Sequence, residues 1–280
     1  MTAPFKPFGT AREALTYLDN LVADSGVELT ERVAVARGEI ARIADDERDL
    51  LAGISAVVDI DPADAAEQAA ARYLAREITA PEALAEMATA ERSSARDRQK
   101  LSNKIIFRSA RQASVELRRL GDDLITDVLA PWAARVVAEL RNDAAVVADI
   151  GWAGVLDAQR WGAENEVDGS DLARLAEVAQ VGGGRAARHA AVFAAQARVN
   201  KLHEIWKVAD DLRARGFLKT MDDRTVSELA YRWAITTPDK LPDPAKDLRE
   251  PWWTCAGLVN GAGPCVRTAA EAQATAPVAA

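Results

Sequence analysis

Apolar residues between Leu29 and Val57 recur at alternating steps of four and three. The positions are Leu29, Val33, Ala36, Ile40, Ile43, Glu47, Leu50, Ile54 and Val57, and eight of the nine are apolar. A stripe of mean period 3.5 runs along one side of a slightly underwound helix, and burying its length takes a second helix alongside. The spacing predicts a coiled-coil seam, formed within the chain or between chains. Glu47 interrupts the apolar run. It reads either as a device that fixes register or strand number at some cost in stability, or as a plain defect.

Helix signals continue along the rest of the chain. A first short helix is expected from 10 to about 23, with Thr10 as N-cap and Ser25-Gly26 as its end. The seam helix follows from about 28 to 58, and Asp61-Pro62 restarts the chain. Thr79 and Glu82 have capping-box spacing, and no Gly or Pro interrupts the pattern from there to Gly121. A helix of roughly 50 residues would be about 75 Å long. Pro131 should kink or break it, and helical pattern resumes at Trp132 as far as about Ile150. Loops are expected around Gly151, Trp161-Gly162 and Asp168-Gly169, with a helix over 171–181 before Gly182-Gly183-Gly184. Val192, Ala195, Val199, Leu202, Trp206 and Ala209 repeat the stripe on a long helix over 185–215, which Gly216 stops. A last helix is expected over 224–235, before a segment spaced by Pro238, Pro242, Pro244 and Pro251.

The expected fold class is all-α. An elongated helical, coiled-coil stalk over 1–130 leads to a more globular helical portion over 131–236, and a Pro/Gly-rich, partly disordered tail over 237–280. The aromatic residues support this division. All seven tryptophans lie from Trp132 onward, whereas Tyr73 and Phe107 are the sole aromatic residues between 20 and 130. The chain is 49% hydrophobic but 5% aromatic, a composition that suits close-packed helices better than a β-sandwich.

A net charge of −8 argues against a protein coated all over in nucleic acid. No secretory signal or membrane span is evident, so the expected location is cytoplasmic, or a virion if the chain is phage-derived. Of 35 Lys and Arg residues only eight are Lys, and Ala is abundant, a usage that points to a GC-rich genome.

The charge is unevenly placed. The stretch 91–119 carries nine basic residues, among them Arg96, Arg98, Lys104 and Arg108, against Glu91, Asp97 and Glu116. Its favoured reading is structural: the acidic seam helix, with Glu39, Asp45, Asp46, Glu47 and Asp49, supplies the complement. Nucleic acid or an acidic protein are the other partners such a helix fits.

Catalytic patterns are absent. The two histidines, His189 and His203, lack the Glu-x-x-His spacing of di-iron bundles and lie about 21 Å apart on one helix, so they read as seam-edge packing. The adjacent acidic pairs, such as Asp210-Asp211, diverge by about 100° and read as solvated faces. Cys255 and Cys265 are read as reduced thiols or a short disulfide, and as a poor zinc site. Gly182-Gly183-Gly184 reads as an interhelical loop, since no strand precedes it. Trp152-Ala153-Gly154 resembles the W-x-G turn of small actinobacterial secretion substrates, although Tyr73-Leu74-Ala75-Arg76-Glu77 precedes the turn here instead of following it.

These observations lead to a non-enzymatic structural or assembly protein that acts through coiled-coil contacts with itself or another helical protein. No catalytic residue, cofactor, metal or small-molecule ligand is expected. A phage scaffold or tail-associated component from a high-GC host fits the helical form, acidic charge and residue usage. The alternatives are a nucleic-acid-binding protein using the 91–119 helix, and a helical secreted substrate with a W-x-G turn.

Overall fold

The structure, a computed structural model, describes residues 5–57, 62–165, 167, 175, 177, 180, 183–219, 231–234 and 250–275. It is mostly helical, and its strands among the described residues are two residues long. The expectations for Asp61, Asp168-Gly169, the helix over 171–181 (apart from 175, 177 and 180), most of 224–235, and Pro238, Pro242 and Pro244 fall outside the described residues.

The helices are α1 (Ala11–Ser25), α2 (Glu31–Val57), α3 (Pro62–Leu74), α4 (Ala80–Leu120), α5 (Ala130–Asn165), α6 (Gly183–Ala214), α7 (Trp252–Val259) and α8 (Ala269–Thr275). Their ends follow local chemistry. The Glu13 N–H donates to Thr10 Oγ1 at 3.0 Å, which caps α1. Glu82 Oε2 accepts both the Thr79 N–H (2.7 Å) and its hydroxyl (2.8 Å), which fixes the start of α4. Gly26 and Gly216 take φ of +55° and +73°, the left-handed conformation that ends α1 and α6.

The chain divides into two compact units: one comprises Lys6–Leu21 and Ala34–Arg119, the other Met1–Phe5, Val22–Val33 and Leu120–Ala280. In the first, the Phe8 N–H donates to Ser114 Oγ at 3.0 Å, and Arg37 pairs with Asp19 at 2.6 Å. Its core is small-residue rich, with Ala11, Ala14, Leu18, Ile40, Ala110, Ala113 and Leu117 buried.

The second unit is built on α5, which packs against α6 and α7. Leu124 is buried, as are Ile125, Val128 and Leu129 on the π-helical turn Ile125–Leu129. Pro131 then occupies the first turn of α5, where its missing N–H costs nothing. The bend comes at Gly151 (φ +62°), and helix continues to Asn165, so Trp161-Gly162 is helical and not a loop. Gly162 is a close-approach position: an added Cβ would lie 2.2 Å from Phe193 Cζ. The α6 stripe is buried at every predicted position from Val192 to Ala209.

Two expectations need correction. The predicted helix over 224–235 does not reach its end, because Trp233–Ala234 (β1) pairs antiparallel with Gly263–Pro264 (β2). The region read as tail is folded over 250–275, where Trp253, Cys255, Ala262, Val266 and Ala272 are buried. Thr268 and Glu271 form a capping box there: Glu271 Oε2 accepts the Thr268 N–H at 2.8 Å, and the Glu271 N–H donates back at 3.2 Å. Pro and Gly here provide turns between short elements that bury tryptophans.

Candidate functional site

The nine seam positions are treated unequally. Val33, Ile40, Ile43 and Glu47 are buried within this one chain, and Ala36 and Ile54 are half-buried. Leu29 is 38% exposed and Leu50 55%. The Val57 side chain lies outside the described residues. Glu47 has a defined job: its Oε2 accepts the Ala11 N–H at 3.3 Å, at the first turn of α1. The first N–H groups of a helix lack intrahelical acceptors and carry partial positive charge, so a carboxylate there meets both needs.

The basic helix was expected to find its counter-charge on α2. Several of the α2 acids also pair within their own helix. Within α2, Arg42 binds Glu39 and Asp46, and Arg48 binds Asp45 and Asp49. The Arg42 hydrogen bond holds the Glu39 carboxyl below its ordinary value, and Arg119 of α4 adds a smaller pull in the same direction. Lys104 and Arg108 are exposed, as is Arg111, and none makes an ion pair among the described residues. The side chains of Arg96 and Arg98 lie outside the described residues. Beside these cations Phe107 is 60% exposed and Leu101 49%.

Unit two contains a polar cluster that the sequence reading missed. Asp157 accepts from Arg185 Nη2 (3.0 and 3.1 Å) and faces His189 Nε2 at 3.1 Å. His189 is buried beside Trp161, with ring centroids 5.1 Å apart, and its Nδ1 has no hydrogen-bond partner among the described residues. The Arg185 hydrogen bond, followed by that of His189, holds the Asp157 carboxyl below its usual range. Arg185 and His189 are one helical turn apart on α6, a visible pairing, but nothing local marks Asp157 as their partner. His203 stands in a different setting, about half exposed, 3.6 Å from Glu250 and against Trp206.

Burial pushes the Cys255 thiol up to about 12 and that of Cys265 to about 11, so both are protonated at neutral pH and poor nucleophiles. Both are free. Among the described residues no group of three or more His, Cys, Asp or Glu has metal-binding geometry, and no helix is long and apolar enough to cross a membrane. The Trp152-Ala153-Gly154 sequence lies inside α5, immediately after the Gly151 kink.

Comparison with known proteins finds no matching family model, no matching curated protein and no matching solved structure. The protein is all-α, and among its described residues Leu50 of the α2 seam and the cationic face of α4 are exposed.

Proposed function

We propose that the chain is a non-enzymatic assembly protein that self-associates through the open end of the α2 seam. One observation carries this reading: Val33, Ile40, Ile43 and Glu47 of the stripe are buried, whereas Leu50 is 55% exposed. The spacing continues to Ile54, which is half-buried, so Leu50 is the seam position on α2 with the least cover among the described side chains. The same unit also exposes Val35, Leu74 and Leu84. Burying one such Leu is worth about 1.5–3 kcal/mol, so a few together can offset the entropy of association. A second copy presents the same stripe and is the simplest occupant. A phage virion-assembly setting, such as a scaffold or tail-associated component, is supported by residue usage, acidic charge and helical form.

The test is mass by size-exclusion chromatography with light scattering over a range of concentrations. A dimer or larger species should fall to monomer mass on Leu50→Glu, with helical circular dichroism unchanged. A wild-type chain that is monomeric at every concentration overturns the reading.

A further inference from the structure

We propose that the exposed face of α4 binds single-stranded nucleic acid, with Lys104, Arg108 and Arg111 on phosphates and Phe107 stacked on a base. The inference is independent of self-association, because it uses different residues and a different chemistry.

The argument begins with the helix. At about 100° per residue, Phe107 and Leu101 mark the two edges of an arc of about 120°, and Lys104, Arg111 and Arg108 fall between them. All five are exposed, while Ala110, Ala113 and Leu117 bury the opposite face. No acidic residue occurs between Asp97 and Glu116. This stretch of α4 therefore carries charge of one sign, on a chain that is −8 overall. Lys104, Arg108 and Arg111 make no ion pair among the described residues and are open to an external anion.

The arrangement discriminates among anions. A helix that lies in a membrane surface gathers its apolar residues into one sector. Here the cations separate Leu101 from Phe107, so neither can enter a lipid layer without dragging charge along. A duplex hides the faces of its bases and would leave Phe107 uncovered. A single strand offers both things this face can use: phosphates at intervals and free π-faces for an aromatic ring. Lys104 to Arg111 covers about 10 Å of helix, enough for a contact of a few nucleotides.

The experiment is fluorescence anisotropy of the full chain with a labelled oligothymidylate of about 20 nucleotides and with a duplex of equal length. The single strand should bind more tightly. Phe107→Ala should weaken that binding about tenfold and leave duplex binding unchanged, and Phe107→Tyr should restore it. Replacing Lys104, Arg108 and Arg111 by Gln should reduce the slope of log affinity against log salt by about 2, since each single-strand phosphate contact contributes about 0.7. These positions are exposed, and circular dichroism checks that the variants fold. Equal affinity for both nucleic acids with a silent Phe107→Ala overturns the proposal. So does no binding to either, including the case where the chain binds phosphatidylserine vesicles or polyglutamate instead. A monomeric chain that binds the single strand would sink the assembly reading and leave this one standing.

Discussion

The stripes on α2 and α6 have the same alternating spacing, yet one is open at its end and the other is closed throughout. On α6 the predicted positions from Val192 to Ala209 are all buried. α5 covers part of that helix, and the rest meets an aromatic cluster, with Trp206 6.1 Å from Trp233 and Trp233 edge-on to Trp253 at 5.1 Å. Trp206 Nε1 donates to the Cys265 carbonyl at 2.8 Å, which ties the stripe to the C-terminal segment. On α2 the cover lapses at Leu50, one turn beyond the contact of Glu47 with the first turn of α1, and Ile54 is half-buried. Spacing therefore reports that a face exists. How far it is covered depends on bulky groups brought in from elsewhere in the chain.

The largest test of this contrast is truncation at matched positions, read by equilibrium chemical denaturation. Trp206→Ala should cost about 3–5 kcal/mol, the range for a large aromatic removed from a packed core. Leu50→Ala should stay within about 0.5 kcal/mol, as for an exposed site, provided the chain is kept dilute enough to be monomeric. Similar losses at both positions would mean that Leu50 is covered in solution and that the α2 stripe is as closed as the α6 one.

A smaller effect separates the two accounts of Glu47. As the acceptor for the Ala11 N–H, it stabilises α1 by satisfying a buried donor. Glu47→Leu leaves that donor orphaned and should cost about 1–3 kcal/mol, even though it completes the apolar stripe. Glu47→Gln, which keeps an acceptor, should cost less. If Glu47→Leu stabilises the monomer, the carboxylate is a defect and not a cap.

Local chemistry was the legible part of this chain. Thr10, the Thr79–Glu82 pair and Gly216 each act through residues within a turn or two, so spacing alone locates them. Thr268 and Glu271 obey the same rule but sit in an alanine-rich stretch, where composition masked the cap. The unread features depend on distant partners. Trp233 joins a strand because residues near Pro264 meet it, and Asp157 binds residues about thirty positions away. The acids of α2 were visible, and so were Arg42 and Arg48 three or four positions off, a local pairing that the spacing also offered.

The smallest effect contrasts a carboxyl group packed near each stripe. Where α2 has Glu47, the α5–α6 interface has Asp143, which pairs with Arg198 at 2.6 Å. Desolvation raises the Asp143 carboxyl above its ordinary value, and the Arg198 charge offsets only part of this. The folded chain therefore holds the Asp143 proton more tightly than the unfolded chain does. The stability this group contributes is greatest below its unfolded value and is lost as pH rises through the folded one. Wild type should thus lose ground to Asp143→Asn as pH rises from below the ordinary aspartate value, about 3.9, through the raised folded one, with the two curves parallel at higher pH. Paired denaturation curves across that range measure the difference. If wild type instead gains on the variant as pH rises, attraction to Arg198 outweighs burial, and Asp143 stabilises this interface as an ion.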